Sequence, residues 1–196
     1  MTARSDMQLQ GPPAPASEQG EGCEPEPPLS SSRMTVDVVM DDEVWPGFDD
    51  AEAVVQAAVA ALAHYPGVIN EPCAAVVALS DDAEVARLNA AYRKKPTATN
   101  VLSFPAAPHP TSAGEASALG DIILARETIL REAAESGTEP VHHLQHLVIH
   151  GLLHLLGHDH VDDAGAERME ALETAILATL QIPDPYSQSP ISGGPQ

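Results

Sequence analysis

His150 and His154 stand four residues apart inside the apolar run His150-Gly151-Leu152-Leu153-His154-Leu155-Leu156-Gly157-His158-Asp159-His160. On a helix, residues at i and i+4 lie one above the other, so both imidazoles leave the same face. Gly157 then leaves a helix readily in the left-handed conformation, and the returning chain brings His160 toward the same point. Three neutral imidazoles with a fourth position open form a ligand set that zinc accepts, and one better suited to catalysis than to a closed structural site. Zinc held this way brings the ionisation of a water to a pKa of about 7, so hydrolysis is the expected reaction class. The bland alternative is a histidine-rich helix whose rings are solvated or satisfied in the core. Three histidines at this spacing, with a glycine stop among them, speak against it.

The spacing HxxxHxxGxxH also matches the metzincin peptidases at all three histidines and the glycine. Those enzymes need a glutamate general base directly after the first histidine, where this chain has Gly151. Asp159, Asp162 and Asp163 are nearby acids, expected to cap helices and to support the ligands from behind. His146 continues the i, i+4 line to His150, with His142 and His143 beside it. A fourth ligand there would sit a full turn too far back, so a partly exposed face or contact behind the ligands is expected. His158 lies too close to His160 to reach the metal together with it, and Met169 is expected in the core.

The elements that must position these residues follow from periodicity. Thr35–Met40, Ala74–Leu79, Asn100–Phe104 and Leu119–Leu124 are β-branched or apolar runs of strand length, the last two able to pair across the loop between them. Helical spacing recurs from Asp49 or Asp50 to about Tyr65, from Ser80 to Lys95 before Pro96, from Arg126 to about Ser136, and from Asp162 or Asp163 to about Leu180. The histidine helix begins near Pro140, with Thr138 as its expected cap. The fold class is therefore α+β: a small, mostly four-stranded sheet covered by about five helices, with the histidine helix buried at the centre.

With 196 residues the chain has room for one ordinary domain. Residues 1–33 carry six prolines and almost nothing apolar, and residues 187–196 are again Pro, Ser and Gly, so both are expected as an arm and a tail around a domain at 34–186. The sequence has no apolar run of signal-peptide or membrane-spanning length. Two cysteines, Cys23 and Cys73, show no CxxC pairing and fit a reducing compartment, so a soluble cytoplasmic protein is expected. The net charge of −20 opposes a polyanionic partner at first sight, yet four of the nine Lys and Arg residues fall at Arg87, Arg93, Lys94 and Lys95. Such a cluster either answers the dipole at a helix C-terminus or steers a phosphate backbone.

The blocks around these residues resemble the YbeY family of zinc-dependent endoribonucleases. They are HGLLHLLGHDH, Arg87–Arg93, Thr99–Pro105, Leu119–Ile123, Glu170–Glu173 and Asp184–Tyr186, in family order over about residues 34 to 186. The resemblance implies one zinc ion per chain on His150, His154 and His160, with Arg93 and His150 serving catalysis on RNA. It implies single-strand-specific cleavage in 16S rRNA 3′-end maturation and ribosome quality control. Its expected partners are the ribosome and ribosomal proteins, with neither DNA nor membrane. The long acidic arm and His158, where an aromatic is common, depart from the family pattern. A zinc peptidase and a non-enzymatic ribosome assembly factor with structural zinc are the rival readings.

Overall fold

Alternation decides the sheet. In β2 (Cys73–Ser80) every second side chain, Cys73, Ala75, Val77 and Leu79, is buried, and β1 (Met34–Met40) buries Met34 and Val36. A strand that hides one face must pack that face on helices. The computed structural model describes residues 33–40, 45–107, 115–159 and 162–187, in the order β1, α1 (Ala51–His64), β2, α2 (Asp82–Arg93), β3 (Val101–Pro105), β4 (Ser117–Ala125), α3 (Arg126–Ser136), α4 (Pro140–Leu155) and α5 (Asp163–Thr179). The sheet runs β1-β2-β4-β3, with β1, β2 and β4 parallel and β3 antiparallel to β4. The expected arm and tail, apart from Arg33 and Ser187, lie outside the described residues, as does 108–114 of the β3–β4 loop.

Most of α4 is buried. Leu144, Leu147, Val148, Ile149, Leu152, Leu153 and Leu155 pack it against α1, α3, α5, β3 and β4. Each such side chain stabilises the fold by about 2 kcal/mol through apolar burial, so the helix that carries the histidines is the best-anchored one. Gly151 makes the approach to the sheet possible: a Cβ there would stand 2.9 Å from Ile122 Cδ1 of β4.

Two of the expected caps are decided by hydrogen bonds. Asp50 accepts from the Ala53 amide and Asp162 from the Gly165 amide. The expected Thr138 cap is corrected. Glu139 occupies the N-cap of α4 without a side-chain cap bond. Thr138 instead belongs to the end of α3, where Gly137 is left-handed (φ 68°) and the Thr138 amide bonds to the Ala133 carbonyl.

At the end of α2, Lys94 is itself left-handed (φ 58°), and the Lys94 and Lys95 amides both donate to the Asn89 carbonyl. The buried Asn89 side chain donates to the Thr97 carbonyl at 2.7 Å. This ties the loop after Arg93 back onto the helix.

Candidate metal centre

His146, His150 and His154 stand in line on one face of α4, each half-buried. Gly157 (φ 91°) ends the helix, with its own amide on the His154 carbonyl and the His158 amide on the Leu153 carbonyl. That turn brings the His158 carbonyl to 3.1 Å from His154 Nδ1. A carbonyl only accepts, so Nδ1 of His154 carries the proton and Nε2 is left as the basic nitrogen.

Glu173 does the same for His150. It is fully buried on α5, with Oε1 2.7 Å from His150 Nδ1 and Oε2 3.0 Å from His146 Nε2, and the Tyr186 hydroxyl donates to Oε2. Burial alone would raise the pKa of this carboxyl. Its hydrogen bonds from His146, His150 and Tyr186 outweigh that and hold it at about 2. Burial and the neighbouring Glu173 push the Tyr186 phenol well above its ordinary range. Ionised Glu173 has nothing to donate, so Nδ1–H of His150 points at it and the basic nitrogen is again Nε2.

The two basic nitrogens then face each other: Nε2 of His150 and Nε2 of His154 are 3.1 Å apart, the rings nearly perpendicular. Two acceptor nitrogens at this distance call for a cation between them, a proton or a metal ion. Two imidazoles on one tetrahedral zinc would bring their nitrogens to about 3.3 Å, slightly wider than the observed spacing. A second grouping, His146, His150 and Glu173, brings ligand atoms within 4.8 Å of one another and could also hold a metal ion. Its contacts at 2.7 and 3.0 Å have the length of N–H···O hydrogen bonds, which suits a support of the ligand face better than a ligand set. His160 lies outside the described residues.

The pair opens on a cleft of about 560 Å³, lined by Arg93, Thr99, Asn100, Val101, Ser103, Pro105, His150, His154, Gly157, His158 and Asp159. Arg93 of the expected basic cluster is there. Arg87 is not; it pairs with Glu84 on the surface of α2. The floor beside the histidines is formed by β3: the Ser103 hydroxyl donates to the Gly151 carbonyl at 3.5 Å, and Asn100 donates to Glu132, which His143 also contacts. Met169 packs in the core, 2% exposed. The packing that makes Gly151 necessary also leaves no room for the glutamate that a metzincin peptidase carries there.

Reading the sequence alone missed Glu173. The signal was available, because Met169, Glu173 and Ile176 fall on one stripe of α5, and a carboxylate inside an apolar stripe must be paired. Tyr186, which completes the Glu173 contacts from beyond the last helix, left no such signal.

Comparison with known proteins adds an independent observation. A family model described as "Endoribonuclease YbeY" matches residues 41–181. Proteins of that same name from Azorhizobium caulinodans and Parvibaculum lavamentivorans are each 48% identical to this chain, over 155 and 164 residues. These alignments take in 79% and 80% of this chain and 97% and 87% of the relatives. A Thermotoga maritima protein of known solution structure covers 82% of the chain at 18% identity, with a TM-score of 0.44.

Proposed function

The chain belongs to the YbeY family of endoribonucleases, and on that premise we propose that it hydrolyses phosphodiester bonds in single-stranded RNA with one zinc ion per chain on His150, His154 and His160. The observation that carries this reading is the facing Nε2 pair, with both Nδ1 atoms committed elsewhere, at the mouth of a cleft that Arg93 lines. When bound, zinc supplies the Lewis acidity that makes an oxygen nucleophile available near neutral pH. The protein's own part is orientation. Glu173 and the His158 carbonyl each hold an Nδ1–H, which fixes the tautomer and turns both basic nitrogens into the cleft. Arg93 presents a guanidinium that is charged at every working pH and forms paired hydrogen bonds to two phosphate oxygens.

The biological setting that goes with this reading is maturation of the 16S rRNA 3′ end and ribosome quality control in the cytoplasm, with the ribosome and its proteins as partners. Among the described residues no helix is long and apolar enough to cross a membrane. Residues 34–186 are the catalytic domain in this reading, and 1–33 and 187–196 are appendages to it.

The test is cleavage of a single-stranded oligoribonucleotide by purified protein, with and without a chelator, followed by analysis of the product ends. Cleavage that stops with chelator and returns with added zinc is expected. RNA left intact by the zinc-loaded protein would contradict the reading.

A further inference from the structure

Asn100 lines the same cleft as Arg93, His150 and His154. It stands just before β3, half-buried, and both ends of its side chain are engaged. The Oδ1 atom accepts from the Val101 amide at 2.7 Å and from the Thr99 hydroxyl at 3.5 Å, while Nδ2 donates to Glu132 Oε2 of α3 at 2.9 Å. A carboxylate only accepts, so the NH2 end of the amide is the one turned to Glu132. Glu132 is held in its turn, because the same Oε2 lies 2.9 Å from His143 Nε2 of α4. An NH2 group carries two hydrogens. Glu132 takes one, and among the described residues nothing takes the other.

Glu132 also limits what the second hydrogen can meet. With the two N–H bonds about 120° apart and hydrogen bonds of about 2.9 Å, an acceptor on it lies about 5 Å from the carboxylate oxygen. At that distance a phosphate oxygen is repelled by Glu132, whereas a neutral oxygen is not. The phosphate has its own charged partner in Arg93. On an RNA strand, the neutral oxygen carried by every sugar between phosphates is the 2′-hydroxyl, the group by which a protein tells RNA from DNA.

We propose that Asn100 donates its second Nδ2–H to a ribose 2′-hydroxyl of the strand in the cleft, with Glu132 as the positioning residue that holds the amide, and that Asn100 is thereby a determinant of RNA over DNA. The proposal rests on the endoribonuclease reading above. The donor is preorganised by the Val101 amide on one side and the Glu132 carboxylate on the other, so little ordering entropy is left to lose when the strand arrives.

The competing explanation is that Asn100 only ties the start of β3 to α3. Cutting a tie loosens the fold for every strand alike, whereas removing a ribose contact makes one particular 2′-hydroxyl dispensable. The experiment is single-turnover cleavage by zinc-loaded wild type, Asn100→Ala, Asn100→Asp and Glu132→Ala. Each acts on one single-stranded RNA and on copies with a single 2′-deoxy nucleotide moved along the chain. In Asn100→Asp the two facing carboxyls share one proton, which keeps the tie to Glu132 and leaves no second hydrogen. That variant carries the test if Asn100→Ala does not fold. The ribose contact predicts that either Asn100 variant lowers kcat/KM on the all-ribose strand roughly fivefold to fiftyfold, with zinc content unchanged. It also predicts one deoxy position that costs wild type a similar factor and costs the Asn100 variants nothing further. Glu132→Ala, which lets the amide swing, is expected to show the same silent position, and its absence there would remove Glu132 from the role. All-ribose cleavage by Asn100→Ala at the wild-type rate, or deoxy losses that multiply with the variant loss at every position, would overturn the proposal. Wild-type protein that leaves the RNA uncut would take down the endoribonuclease reading itself, an outcome visible before any variant is compared.

Discussion

Arg93→Lys is expected to cut RNA roughly a hundredfold to a thousandfold more slowly than wild type in a single turnover, while binding the same RNA nearly as well. The charge is kept in this substitution and the fork is lost. A lysine ammonium attracts a phosphate but cannot form two parallel hydrogen bonds to it, and only contacts that strengthen as charge develops accelerate the chemical step. The three basic residues at the end of α2 are not equivalent in position. Arg93 lines the cleft beside His150 and His154, whereas Lys94 is the left-handed C-cap of the helix, and neither lysine is among the lining residues. Lys94→Ala and Lys95→Ala should therefore weaken affinity modestly and in a salt-dependent way, as remote phosphate attraction does. Equal, small losses in all three variants would reduce Arg93 to a helix-end charge. Zinc content should be the same throughout.

Glu173→Gln is expected to lower zinc affinity about tenfold to a hundredfold with the fold retained. The amide keeps the shape of the carboxylate and can still accept from His150 Nδ1–H through its oxygen. Its NH2 end then meets His146 and Tyr186, which contact Oε2 in the native protein, and both can turn acceptor toward it. What disappears is the negative charge that faces the His150 Nδ1–H and holds the ring in the orientation of a ligand. Cleavage should fall at limiting zinc and recover with excess. Glu173→Ala is more severe, because removing a fully buried group leaves His146, His150 and Tyr186 facing a void, and a loss of about 3 kcal/mol in stability is expected. Competition with a coloured chelator measures the first effect and thermal unfolding the second. Unchanged zinc affinity in Glu173→Gln would mean that His150 does not depend on this carboxylate.

The order of elements could be read from the sequence because each announces itself locally. Alternation marks β2, the Asp50 and Asp162 caps open α1 and α5, and Pro96 and Gly137 close the helices before them. The strand order could not be read, since placing β4 between β2 and β3 depends on which helices cover the two faces rather than on any one residue. Within the site, the i, i+4 spacing of His150 and His154 is a local property of α4, and it was legible. Glu173 reaches His150 across 23 residues and Tyr186 reaches Glu173 from an irregular segment, so the support behind the histidines depends on tertiary packing alone. The Thr138 cap failed for a related reason: α3 and α4 are so close in sequence that one residue serves the end of the first instead of the start of the second.

Two sets of side chains that share His150 of α4 compete for the ion, and one measurement separates them. Elemental analysis of folded, purified wild type, His154→Ala and His146→Ala counts zinc per chain directly. With the ion on His150, His154 and His160, wild type carries one zinc, His154→Ala carries none, and His146→Ala keeps it, because the Nε2 of His146 is turned to the Glu173 carboxylate and the Tyr186 hydroxyl behind His150. Zinc retained in His154→Ala and lost from His146→Ala would contradict this assignment and hand the ion to His146, His150 and Glu173.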